Sequence, residues 1–223
     1  MRKNFRFILL PFSFIYGGIV GLRNRFFDKK VFRSATFNFP LICIGNLSTG
    51  GTGKTPMVEY IIRLLEGRYK VATLSRGYKR KTKGFVIASE NSSAYDIGDE
   101  PMQIYKKFPQ LTVSVAEERV MGIPQLLSER PATEVIVMDD AFQHREVNAG
   151  LNILLTDFNK RYTQDIMLPL GDLRDVKKSA KRADIIVVTK CDSNLSREKS
   201  EAIKQELKPL DHQKIYFSGT KYE

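Results

Sequence analysis

Three consecutive residues, Gly53-Lys54-Thr55, put backbone freedom, a mobile cation and a hydroxyl at the end of a glycine-rich stretch, and the whole run from Leu41 to Pro56 reads LICIGNLSTGGTGKTP. An apolar strand enters this loop, and Met57, Ile61, Leu64 and Leu65 follow it at helical spacing. Glycines let successive N–H groups close around phosphate oxygens, while a helix starting at the lysine aims its positive end at the same anion. In such a cradle Lys54 reaches the β and γ phosphates and Thr55 holds Mg2+. Ser48 stands where the usual pattern has its first glycine, but Gly50 and Gly51 keep the loop pliable. The plainer alternative is a glycine turn that caps a helix. Strand, loop, Gly-Lys-Thr and helix coincide here, which favours phosphate binding.

A second carboxylate-bearing element suits the same chemistry. Val135 to Met138 is an apolar run that ends in Asp139-Asp140. A buried parallel strand delivers carboxylates to its C-terminal end, where they serve a metal or its water opposite Thr55. Two acids in a strand-to-loop turn is the simpler reading. Near the end, Thr189-Lys190-Cys191-Asp192 follows an apolar strand and resembles the base-reading signature of GTPases. Ala141-Phe142 follows the carboxylates, so the glycine that gives such a switch its γ-phosphate N–H is missing. A solvated strand-end turn is equally open for Lys190 and Asp192.

The remaining polar clusters point to a second substrate. Ser75-Arg76-Gly77-Tyr78-Lys79-Arg80 adds cations near the carboxyl edge of the sheet, where ligands of α/β folds bind. Asp99 lies near the start of a helix that carries Pro101 in its first turn. It is either an N-cap or the acceptor of a proton from an attacking hydroxyl. Arg119, His144-Arg145 and Arg174-Asp175 are further charges at element ends; taken singly, each fits a solvated surface equally well.

The elements that must position these groups follow from patterning. Short apolar runs alternate with amphipathic stretches, as in βαβ units around a parallel sheet. Strands are expected at 41–45, 70–74, 84–88, 111–115, 134–138, 151–155, 184–189 and 214–217, and helices at 54–65, 99–108, 117–127 and 196–207. The stretch 77–98 is expected as a hairpin or loop beside the site. The 223 residues, 42% hydrophobic and 27% charged, suit one α/β domain with a sizeable core or two small ones. Two cysteines and two histidines exclude a disulfide scaffold and leave too few ligands for a zinc cage, which fits a reducing compartment.

The net charge of +11 is uneven. Residues 1–33 hold eight basic residues and one acid, whereas the other 190 hold 28 basic and 24 acidic residues. The positive charge therefore belongs to one terminal segment and does not imply a nucleic-acid partner. That segment contains FILLPFSFIYGGIVGL between Arg6 and Arg23, sixteen residues interrupted by proline and glycines, which is short for a span. Residues 1–33 are expected to lie on or dip into an anionic leaflet, ahead of a core at 34–223; the alternative is a helix packed on the domain's own core.

The ordered set GNLSTGGTGKTP, SRGYKR, GDEP, DDAFQHR and LPLGDLRD resembles the tetraacyldisaccharide 4′-kinase family, the lipid A 4′-kinases of Gram-negative bacteria. The resemblance implies a P-loop NTPase-type, three-layer α/β fold. It implies transfer of the ATP γ-phosphate to the 4′-hydroxyl of an acylated glucosamine disaccharide phosphate at the cytoplasmic face of the inner membrane, with no protein partner. Nucleotide would sit on Ser48, Thr49, Gly50, Gly51, Thr52, Gly53, Lys54 and Thr55, with Arg76 and Arg174 nearby. Thr55 with Asp139 or Asp140 would serve Mg2+, Asp99 would act as base, and Arg119 and His144 would surround the phosphates. Two departures stand out. Asp175 occupies a place where many relatives carry Glu, and the family's C-terminal Asp-His-His stretch is absent, His212 lying in DHQK. The chain is expected to lack the family's C-terminal part.

Overall fold

The structure, a computed structural model, describes residues 8–219. The expected cations Arg2, Lys3 and Arg6 and the last four residues lie outside them. In chain order the elements are α1 (Leu10–Asp28), β1 (Ala35–Thr36), β2 (Leu41–Asn46), α2 (Lys54–Leu65), β3 (Val71–Ser75), β4 (Val86–Ile87), α3 (Ala94–Ile97), α4 (Asp99–Lys107), β5 (Thr112–Val115), α5 (Arg119–Glu129), β6 (Val135–Asp139), β7 (Val147–Asn148), β8 (Leu151–Asp157), β9 (Ile185–Thr189), α6 (Arg197–Leu207) and β10 (Lys214–Phe217). The fold is α/β with a mainly parallel sheet, and the chain divides into two compact units.

The first unit comprises residues up to Arg33, Gly45–Gly53 and the chain from Asn152 onward. Its strands run parallel in the order β10-β9-β8, with Leu154 opposite Ile186 and Lys214 opposite Ile185. Leu154, Leu155, Ile186 and Val188 are buried, as in a parallel strand covered on both faces. Helix α6 starts at Ser196, whose Oγ accepts from Lys199 N–H at 3.2 Å, and stops at left-handed Lys208 before Pro209.

Helix α1 is inside out by the usual rule. Phe12, Ile15, Ile19 and Leu22, spaced by three and four residues, are each more than half exposed, and so is Phe14. The residues it buries include Ser13 and Asn24, while Gly17 abuts Met167 and Gly21 faces Val176. No helix among the described residues is long and apolar enough to cross a membrane.

The second unit comprises Ser34–Ile44 and Lys54–Leu151. Four parallel strands run in the order β2-β6-β3-β5, and β4 pairs antiparallel with β5. Every residue of β3 and β6 is buried. Helix α2 matches its expected bounds, but its core face is Val58 and Ile62, one residue on from Met57 and Ile61, and Leu64 is 56% exposed. Glu59 joins that buried face because Lys107 Nζ reaches its carboxylate at 2.5 Å. The two-residue pair β1–β7 was not expected; two residues are too few to carry a period.

Candidate active site

In the first unit, β2 delivers Asn46 into the loop that ends at Gly53. Gly50 (φ +102°) and Gly53 (φ +81°) adopt the left-handed backbone that favours glycine. The loop is held from several sides. Arg174 N–H and Asp175 N–H donate to Leu47 O at 2.8 and 3.2 Å, and Thr49 N–H donates to Asp172 O at 2.7 Å. Ser48 bridges Leu173. Asn46 links two parts of this cradle: its Nδ2 donates to Thr52 Oγ1 and its Oδ1 accepts from Arg174 Nη2, both at 2.6 Å. Thr189 Oγ1 donates to Thr52 O at 2.9 Å. The cradle is therefore preorganised by the protein's own hydrogen bonds.

Thr189 belongs to the stretch that resembles a GTPase signature. Its neighbours show the strand-end turn: Lys190 is left-handed and pairs with Asp157 at 2.7 Å, and the Asp192 side chain is 68% exposed beside Lys199.

In the second unit, α2 opens with Lys54 and Thr55. Asp139 ends β6, and Asp140 follows it at φ +50°, a conformation uncommon outside glycine, with its carboxylate 3.7 Å from Lys54 Nζ. Asp139 is 2% exposed and its Oδ1 has no hydrogen-bond partner. Burial, with Asp140 and Glu100 adding repulsion, pushes its carboxyl up to about 7. Glu100, which sequence patterning did not single out, thus belongs to this charge cluster.

Arg119, expected among the substrate phosphates, is 1% exposed. Its guanidinium donates to the carbonyls of Ala116 and Asp139, so here it braces the end of β6 and does not face solvent. Burial lowers it to about 10, so it stays charged at neutral pH. Arg80 is likewise withdrawn: its side chain is 2% exposed, pairs with Glu117 at 2.6 Å and donates to Gly84 O, which pins the 77–84 loop. Arg76 is exposed at the end of β3, and His144 sits in the turn after Asp140, where Val147 N–H donates to its carbonyl.

Asp99 is exposed and is the first residue of α4. The N-cap is Gly98 at φ +94°, not Asp99, so the expected capping alternative does not hold. The capping function lies one turn earlier, where Ser93 and Asp96 form a reciprocal box at the start of α3. Among the described residues no group of three or more His, Cys, Asp or Glu is arranged to hold a metal. A nucleotide-bound Mg2+ does not need one, since a hydroxyl, one carboxylate, phosphates and water suffice.

A mainly parallel α/β sheet, a glycine-rich loop opening into Lys54-Thr55, and a carboxylate pair ending the adjacent strand β6 define a P-loop nucleotide-binding protein. The model of the tetraacyldisaccharide-1-P 4′-kinase family matches residues 5–220, and the chain belongs to that family. Tetraacyldisaccharide 4′-kinase of Flavobacterium johnsoniae is 53% identical over 218 residues, 98% of this chain and 64% of that protein. The Parabacteroides distasonis enzyme is 51% identical over 98% of this chain and 60% of its own length. The crystal structure of LpxK from Aquifex aeolicus in complex with ATP superposes with a TM-score of 0.77 at 41% identity, covering 82% of this chain and 58% of that one. The chain thus spans about three fifths of the length of these relatives.

Proposed function

We propose that this chain carries the nucleotide-binding part of a tetraacyldisaccharide 4′-kinase, which moves the γ-phosphate of ATP to the 4′-hydroxyl of an acylated glucosamine disaccharide phosphate. The observation that carries this reading is the preorganised loop ending in Lys54-Thr55, set in a chain of this family. Loop amides and the α2 N-terminus receive phosphate oxygens, and Lys54 exchanges Asp140 for the β and γ phosphates.

Thr55 and Asp139 would hold Mg2+, which supplies charge neutralisation when bound. The buried, partnerless Oδ1 of Asp139 fits that role, because an ion repays the desolvation of a carboxylate that has no internal cation in contact. Asp99 takes the hydroxyl proton as the sugar oxygen bonds to the γ-phosphorus and the bond to the bridging oxygen of ADP breaks. Its exposure at the head of α4 leaves it open to an incoming hydroxyl. Arg76, His144 and Arg174 add charge and hydrogen bonding around the phosphates.

The acyl chains keep the acceptor in a bilayer, and the outward apolar stripe of α1 supports a protein that rests on that surface at the cytoplasmic side, where ATP is available. The cations Arg23, Arg25, Lys29, Lys30 and Arg33 at its C-terminal end suit anionic headgroups. Titration of this chain with MgATP and with MgGTP tests the nucleotide assignment. Tight binding of MgATP that is markedly weakened in Lys54→Ala is expected; equal binding by the variant, or a preference for GTP, rejects it. Transfer of labelled γ-phosphate to the disaccharide by a full-length version tests the acceptor.

A further inference from the structure

We infer that the buried polar face of α1 is a positioning element for the phosphate loop, with Asn24 as its central positioning residue. The inference rests on the nucleotide-binding reading above. Asn24, 6% exposed, donates through Nδ2 to Asp175 Oδ1 at 2.7 Å and to Ser179 Oγ at 3.1 Å. Asp175 is 2% exposed and is also held by Ser179 and Arg182. Its own N–H donates to Leu47 O, inside the loop. One side chain therefore separates α1 from the phosphate cradle.

Two further contacts run in parallel. Tyr16 OH donates to Arg174 O at 3.2 Å, and Arg174 holds both Leu47 O and Asn46 Oδ1. Ser13 Oγ donates to Met167 O at 2.7 Å and accepts from Leu170 N–H at 3.1 Å, which fixes the start of the segment whose Asp172 carbonyl receives Thr49 N–H. Small residues let the helix come this close: a Cβ at Gly17 would stand 3.3 Å from Met167 Cγ.

This explains why α1 turns Ser13 and Asn24 inward. A helix that only anchored the protein would gain from burying Phe12, Ile15 or Ile19 against the domain and has no use for hydrogen bonds to one particular segment. Here the outer face is left to apolar contact and the inner face addresses the residues that hold the loop. A shift of α1 along its axis breaks the Ser13, Tyr16 and Asn24 bonds together, so the loop's geometry depends on where the helix sits.

The test uses the whole chain and MgATP, with dissociation constants measured well below the melting temperature of each variant. Asn24→Leu, close in size but unable to donate, is expected to raise the constant by about tenfold, as loss of one buried bond to a charged acceptor implies. Tyr16→Phe is expected to raise it by about twofold. Sedimentation with anionic vesicles should not change, because the outer face is intact. Asn24→Asp sets two carboxylates together and should weaken nucleotide binding, and adding Asp175→Asn should restore it. A merely structural role lowers the melting temperature and leaves the constant of the folded protein unchanged; that result overturns the inference. If Asn24→Leu does not fold, Tyr16→Phe combined with Ser13→Ala decides alone, since it removes only hydroxyls. Failure of the wild-type chain to bind MgATP would overturn the nucleotide reading and this inference with it, whereas equal binding by wild type and variants overturns the inference only.

Discussion

Arg119 meets Asp139 through the backbone: its Nη2 donates to the Asp139 carbonyl at 3.3 Å, while the Asp139 carboxylate keeps an unpaired Oδ1. The guanidinium thus sets the position of the strand end and lends its field to the carboxylate without tying it up. A direct ion pair would leave that oxygen less available to a metal.

Replacement of Arg119 by Met is therefore expected to act first on stability. It leaves the Ala116 and Asp139 carbonyls without their donor and removes a cation from beside the buried Asp139 carboxylate, with a cost of about 2–4 kcal/mol. Chemical denaturation measures this. An unchanged midpoint with a large loss of MgATP affinity would assign Arg119 to nucleotide contact.

Asp99→Asn separates chemistry from folding more cleanly than the sequence promised. Because Gly98 is the cap, the carboxylate contributes to α4 only as a first-turn charge, about 0.3–1 kcal/mol. In a full-length version, transfer to the disaccharide should fall by about a hundredfold or more while the MgATP constant stays within about twofold. Undiminished turnover in single-turnover assays would remove Asp99 from the base role.

The outward stripe of α1 predicts that Phe12→Ser, Ile15→Ser and Ile19→Ser together abolish sedimentation with anionic vesicles. Each apolar side chain is worth roughly 1.5–3 kcal/mol when fully withdrawn from water. All three are more than half exposed, so the melting temperature without vesicles should hardly move. A large drop would show that the stripe packs against protein.

Glu206 gives a pH signature. Burial pushes its carboxyl up, but hydrogen bonds and charge from Arg161, Thr163 and Gln164 outweigh that and hold it below its ordinary 4.5. A depressed folded-state carboxyl contributes stability above its unfolded value and loses it as pH falls. Glu206→Gln should therefore cost about 1 kcal/mol at pH 7, with the difference from wild type shrinking below pH 4.5. A difference that does not vary with pH would mean that packing, not charge, is lost.

The parallel strands were legible because they are buried on both faces and so read as unbroken apolar runs, as in Val135–Met138. The glycine-rich loop between β2 and α2 was legible because its glycines, Lys54 and Thr55 stand contiguous in the chain. Burial of charge was not legible. Arg80 and Arg119 look like surface cations in a polar stretch, yet their partners, Glu117 and the Ala116 and Asp139 carbonyls, are fixed only by tertiary structure. Glu59 misled in the same way, disguising the core face of α2 by one residue. Asn46 and Thr189 were missed as site residues because their role is a bond, and for Thr189 the partner Thr52 lies 137 residues away. No local pattern encodes such a contact.

The inverted dressing of α1 also dictates how this segment tolerates change. On its outer face the proposed bilayer surface would ask only for apolar bulk, so Leu, Ile, Val, Phe and Met should exchange freely at 12, 15, 19 and 22 without loss of vesicle binding. On its inner face the chain has less freedom: Ser13 and Asn24 answer particular atoms, and a Cβ at Gly17 would press on the Met167 side chain. Along the outward stripe the greasy positions are the interchangeable ones, whereas Ser13 and Asn24, with Phe27 buried beside them, are the fixed text.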